Sequence, residues 1–188
     1  MEKTSNRFTV RRLAVTGLLS ALVFVFSWIQ IPIGEVARIH LGNVFCALSG
    51  LLFGPLTGGL ASGFGSMLFD FTNPLYIAES WITFITKFFI GFLAGLIAHR
   101  SGNISLGRDV LGASVGSVTY VALYLLKSFI MKFYIEGLGC TYVRGWGEGQ
   151  GRTKGVTSLI NAVLAVVVSV LLAKAVRPAL RKAGILSE

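Results

Sequence analysis

The run from Leu41 to Phe71, LGNVFCALSGLLFGPLTGGLASGFGSMLFDF, constrains the fold more than any other stretch. It reads as two short apolar segments joined at Gly54-Pro55, the second carrying Gly58, Gly59, Gly63 and Gly65 and closed by one carboxylate, Asp70. Proline cannot continue the preceding helix, and the joint carries no charge, so an antiparallel helical hairpin is expected. A soluble domain has no need of such glycine density. In lipid it has a use, because glycines let helix backbones approach closely where no hydrophobic effect drives helices together.

Composition agrees on the solvent. The chain is 54% apolar and 13% charged, with a mean hydropathy of +0.75. A soluble domain carries about twice that charged fraction, so an integral membrane protein is implied. The net charge of +9 would suggest nucleic acid in a soluble protein. Here the basic residues cluster at segment ends, as in a charge-flanked membrane protein, and no nucleic-acid partner is expected. Cys46, in an apolar segment, and Cys140, in a predicted loop, form no metal signature, and a disulfide between them is disfavoured. The basic start from Lys3 to Arg12 precedes an apolar run of about 20 residues without a small-x-small exit, which reads as a retained span rather than a signal peptide.

The expected architecture is an all-α bundle of six membrane-spanning helices in one domain covering residues 1–188. The segments are Arg12 to Ile31, Leu41 to Phe53, Pro55 to Phe71, Ser80 to Ala98, Asp109 to Phe133 and Val156 to Val176. The second and third are short for a crossing of about 30 Å, a mismatch met by bilayer thinning or by burial against longer neighbours. Pro32 ends the first segment, and Ile33 to His40 reads as a loop. Glu136 to Lys154 reads as a flexible external loop, since it lacks the GxxxxGK[ST] pattern of a phosphate cradle. Six spans put both termini on one side. Lys3, Arg7, Arg11, Arg12, Arg100, Arg108 and the basic tail Lys174, Arg177, Arg181 and Lys182 share that side, which marks it as cytoplasmic.

Ionisable side chains inside spans are costly and are functional candidates by default. Lys87 lies seven residues into its segment from the outer end, Lys127 six and Asn161 five, depths of roughly 8 to 10 Å at the helical rise. Tyr120, Tyr124 and Lys127 share one helical face. Asp70 and Glu79 flank the outer end of the connection between the third and fourth segments with Trp81 close by, and Asn43 and Asp70 face the mouth of the same region. Together these suggest an outward-opening polar pocket with aromatic walls, suited to a flat ring bearing acceptor groups. Lysine snorkelling and a purely structural Asp70–Lys87 pair are the alternatives. No paired carboxylates, HExxH, GxSxG or Cys/His constellation occurs, so no enzyme, cofactor or metal site is expected. Ala14, Gly17 and Ala21 form a small-residue stripe on the first segment, suited either to packing within the bundle or to docking another membrane protein.

The hairpin run, followed by WITFITKFFIGFLAGLIAH and SLINAVLAVVVSVLL, resembles the substrate-binding S components of energy-coupling factor (ECF) vitamin transporters, the riboflavin-type group in particular, over about Val10 to Leu180. The resemblance implies high-affinity binding of a vitamin or precursor, such as riboflavin or a pyrimidine- or pyridine-type vitamin, on the outer face of a bacterial plasma membrane. It implies association with a membrane T subunit and two cytoplasmic ATPases, and inward release when the S component topples. The AxxxA motif by which such proteins contact the T subunit is matched by Gly17-x-x-x-Ala21, with Ala14 on the same stripe. The loop after the first helix would act as a lid, which gives Gly34, Arg38 and His40 a gating role. A stand-alone secondary carrier or facilitator is the other class open at this point.

Overall fold

The computed structural model describes residues 10–33, 37–74, 76–100, 105–130 and 150–185. Among these residues six α-helices follow one another as α1 (Val10–Ser27), α2 (Gly42–Phe53), α3 (Pro55–Phe71), α4 (Ser80–Ala98), α5 (Leu106–Ile130) and α6 (Gln150–Lys182). A short antiparallel pair, β1 (Gln30–Ile33) with β2 (Ala37–His40), separates α1 from α2, and a 3-10 turn at Ile77–Glu79 leads into α4. Successive helices alternate in direction. One end of the bundle therefore holds the strand pair and the 3-10 turn (the hairpin end), and the other holds Gly54-Pro55 (the hinge end).

Among the described residues four helical stretches, Val10–Ser27, Ile77–Ala98, Leu106–Ile130 and Thr153–Lys182, are long and apolar enough to cross a membrane. The helices α2 and α3 have 12 and 17 residues, or about 18 and 26 Å. Many large apolar side chains on the outer surface are exposed, among them Leu13, Leu18, Leu126, Val163 and Leu171, as lipid-facing residues would be.

Several boundaries differ from the sequence expectation: the first helix begins at Val10 instead of Arg12 and the fifth at Leu106 instead of Asp109, and three further differences are larger. The first helix stops at Ser27 instead of Ile31, because Trp28 and Ile29 close 3-10-type turns onto Val25 and Phe26 and the chain then enters β1. Pro32 favours extended backbone at Ile31, so the expected loop from Ile33 to His40 is in part a strand pair in which Gln30 faces His40. The last helix is 33 residues long, beginning at Gln150 and continuing past Val176 to Lys182. At about 50 Å it exceeds the hydrocarbon thickness. Its basic last turn suits a helix C-terminus, where cations offset the partial negative charge of the carbonyls. Gly34, Cys140, Glu136 to Gly149 and the tail of the fifth segment beyond Ile130 lie outside the described residues.

The hinge is built as the hairpin pattern implies. Gly54 has φ +84°, a conformation that disfavours any side chain, and Pro55 occupies the first position of α3, where its missing N–H costs nothing to that helix. The cost falls on α2. The Leu51 carbonyl would accept from the amide four residues on, and that residue is Pro55. Above the hinge, three backbones converge: a Cβ on Gly50 would collide with the Gly91 backbone, and one on Gly91 with the Gly58 backbone. Around this convergence lies the apolar core of Val23, Cys46, Leu51, Ile90, Ala94 and Val170, among others.

Candidate functional site

The helices α4 and α5 meet along a seam whose register is set by small residues. A Cβ on Gly112 would stand 2.6 Å from the Ala94 carbonyl oxygen, and one on Gly116 would stand 2.6 Å from that of Ile90. Each four-residue step up α5 thus pairs with a four-residue step back along α4. Continued toward the hairpin end, the same register brings Tyr120 to Lys87 and Lys127 to Glu79. The Lys87 ammonium lies 4.4 Å from the Tyr120 ring centroid, and Lys127 Nζ lies 2.6 Å from Glu79 Oε2. Close glycine packing near the middle of the bundle therefore positions the chemistry at its end.

Lys87 is 5% exposed. Its ammonium donates to Oδ1 of Asn43 on α2, whose side chain is also hydrogen-bonded to Tyr120. Contact with the Tyr120 ring adds a cation–π attraction that strengthens as water is excluded. Tyr124 stacks on Tyr120 with centroids 5.9 Å apart and ring planes 26° from parallel. Asp70, in the last turn of α3, is buried and hydrogen-bonded to Thr83 rather than ion-paired with Lys87, so the structural Asp70–Lys87 pair does not form. A carboxylate at a helix C-terminus opposes the helix dipole, and Thr83 together with the nearby Lys87 and Lys127 charges offsets this.

Asn161, buried on α6, accepts a hydrogen bond of 3.1 Å at Oδ1 from the His40 backbone N–H, fastening the end of β2 to the bundle. Arg38 lies on β2, and Gly34 is outside the described residues. Four of the expected binding residues, Asn43, Lys87, Tyr120 and Tyr124, are thus brought together at the hairpin end. Lys127 is nearby but engaged with Glu79, and Asn161 is engaged with the strand pair. Trp81 does not join them: it is 61% exposed on the outer face of α4, because its helical phase follows Ile85 rather than Lys87. Glu79 is the residue that sequence reasoning left without a partner, because its pairing with Lys127 depends on the register between α4 and α5, which only the packed helices reveal.

The stripe of Ala14, Gly17 and Ala21 is exposed, and a Cβ at Gly17 would meet nothing within 4 Å. Among the described residues the bundle does not use this face for its own packing.

At the hinge end Arg177 of α6 makes a two-point ion pair with Asp109 of α5, with Nη1 to Oδ2 at 2.7 Å and Nη2 to Oδ1 at 3.1 Å. Among the described residues no group of three or more His, Cys, Asp or Glu side chains could hold a metal ion.

A family model described as the ECF-type riboflavin transporter, S component, matches residues 7–178. Curated relatives include an uncharacterised protein of Pyrococcus woesei, 30% identical over 55% of this chain and 68% of that protein. A UPF0397 protein of an Exiguobacterium species is 28% identical over 74% of this chain and 80% of its own. Among solved structures, one described as the S component of a bacterial ECF transporter superposes with a TM-score of 0.63 at 17% identity, covering 92% of this chain and 98% of that one, which is a likeness of fold.

Proposed function

From the premise that this chain belongs to the ECF-type riboflavin transporter S-component family, a family of transporter subunits and not of enzymes, we propose that it is the substrate-binding subunit for a neutral, flat, acceptor-rich vitamin. Riboflavin or a pyrimidine-type vitamin would fit. In this reading all six helices traverse a bacterial plasma membrane with both termini inside, so that the hairpin end faces outward and the hinge end faces the cytoplasm. A membrane T subunit docks on the exposed stripe of Ala14, Gly17 and Ala21, and two ATPases drive release.

The observation that carries the binding reading is the buried Lys87 ammonium, held between the Asn43 amide and the Tyr120 ring with no carboxylate in ion-pair contact. A cation inside a membrane bundle is costly, and a site of this kind offers a ring both donors and a stacking surface. Charge balance narrows the ligand. Lys127 is neutralised by Glu79, and Lys87 has Asp70 within electrostatic range. The net charge of these four side chains is zero, which favours a neutral ligand over a phosphate or carboxylate.

Mass spectrometry of the ligand carried through purification, followed by titration with riboflavin and with its phosphate ester, tests this. Submicromolar binding of the neutral vitamin is expected, with at least tenfold weaker binding of the ester and a loss of more than tenfold in Lys87→Ala. Unchanged affinity in Lys87→Ala would move the site elsewhere, and failure to bind any ring vitamin would overturn the reading. Uptake that persists after the ATPases are inactivated but stops with an uncoupler would identify a secondary carrier instead.

A further inference from the structure

The substrate-binding reading leaves unused a second buried polar cluster, at the hinge end. Besides its two bonds to Asp109, Arg177 donates from Nη2 to the Leu51 carbonyl at 3.0 Å. His99 Nε2, just past α4, lies 3.1 Å from the same oxygen. A carbonyl can only accept, so Nε2 carries the proton. The oxygen is available to both because α2 ends at Phe53, which leaves the Leu51 carbonyl among the last carbonyls without an intrahelical donor, and Pro55 has no amide to offer. Asp109 and Arg177 have only 3% and 12% of their side-chain surface exposed.

The four helices tied here, α2, α4, α5 and α6, are the ones that carry Asn43, Lys87, Tyr120 and Asn161 at the other end. Mainly apolar residues, including Cys46, Ile90, Ala94, Ala113 and Val170, fill the space between the two polar levels, with Ser49, Ser117 and Ser169 also buried there. We infer that Arg177, Asp109, His99 and the Leu51 carbonyl form a closure that shuts the hinge end of this four-helix column, so that the polar cluster at the hairpin end communicates with one side of the membrane only. Apolar helix contacts can be exchanged for lipid contacts with little change in solvation, because lipid tails are as apolar as the side chains they replace. A carbonyl without an intrahelical donor and a two-point ion pair can be exchanged only for bonds to water, which their burial keeps out while these helices stay together. Parting the helices at this end breaks all four bonds together. Lys127 and Glu79 differ: their side chains are 17% and 30% exposed, and water can take over their bonds.

The inference rests on the membrane reading and not on the identity of any ligand. Cys46, fully buried between the two levels, is a built-in reporter. In a Cys140→Ser background it is the only thiol. Membrane vesicles of each orientation are treated with a membrane-impermeant maleimide, with detergent-denatured protein as the labelling standard. Cys46 is expected to stay unlabelled from the hinge side in the otherwise native protein. In Asp109→Ala and Arg177→Met it is expected to label at least tenfold faster from that side, with no change from the hairpin side. Should those variants fail to insert, His99→Ala, which leaves the ion pair in place, carries the test with a smaller increase expected. Protection that persists in folded variants, or labelling that rises equally from both sides, overturns the closure. Loss of vitamin binding with Cys46 protection intact would count against the ligand assignment alone.

Discussion

The two ion pairs at opposite ends of α5 use the same helix and differ in surroundings. Asp109 lies in its first turn and Lys127 in its last, each with the sign that the helix dipole favours. At the hinge end Asp109 and Arg177 are sequestered, joined at two points and braced by a backbone carbonyl. At the hairpin end Lys127 and Glu79 share a single contact, with partial access to solvent. The first arrangement suits a permanent fastening, and the second suits a contact that opens and recloses. The proposed binding at the hairpin end makes use of that asymmetry.

The largest effect that would sharpen this comparison is Asp109→Ala, which leaves the Arg177 guanidinium buried without its counter-charge. It should destabilise the bundle by about 3–5 kcal/mol, read as a lowered midpoint in detergent unfolding. Glu79→Gln should cost less than ~1 kcal/mol, as partly solvated pairs do. An effect of Glu79→Gln equal to that of Asp109→Ala would erase the distinction between the two ends. The smallest change in stability is expected for Gly17→Leu, within about 0.5 kcal/mol, because a side chain there meets nothing within 4 Å. Co-purification with a T subunit should nevertheless be lost in that variant, and equal loss of vitamin binding would show that the stripe is not a separate surface.

Much of this molecule is legible in its residues. The hinge follows from Gly54-Pro55, and the buried cation from Lys87 within an apolar run. The strand pair was hidden because Ile31 and Ile33 prolong the hydrophobic run of the first helix, and hydropathy does not register the turn at Trp28. Asp109 and Arg177 stood at the edges of the expected fifth and sixth segments, where charges are ordinarily solvated. Their pairing depends on α6 continuing past Val176, which the basic tail obscured. The open Leu51 carbonyl was available to simple counting, since it is one of the last carbonyls of a helix that Gly54-Pro55 brings to an end. Which side chains would claim that oxygen depends on interhelical register, and spacing along a single segment does not supply it.

The α4–α5 seam also predicts where this chain can change length. A residue inserted between Gly112 and Lys127 would rotate everything beyond it by about 100° around the helix axis, detaching Lys127 from Glu79, and Tyr120 from Lys87 where the insertion precedes it, while the lower seam stayed in place. An insertion between Arg100 and Leu106, before α5 begins, would leave every one of those pairings in phase. Homologous chains should therefore vary in length at that connection and keep α5 free of gaps, a pattern of indels dictated by geometry rather than by the ligand.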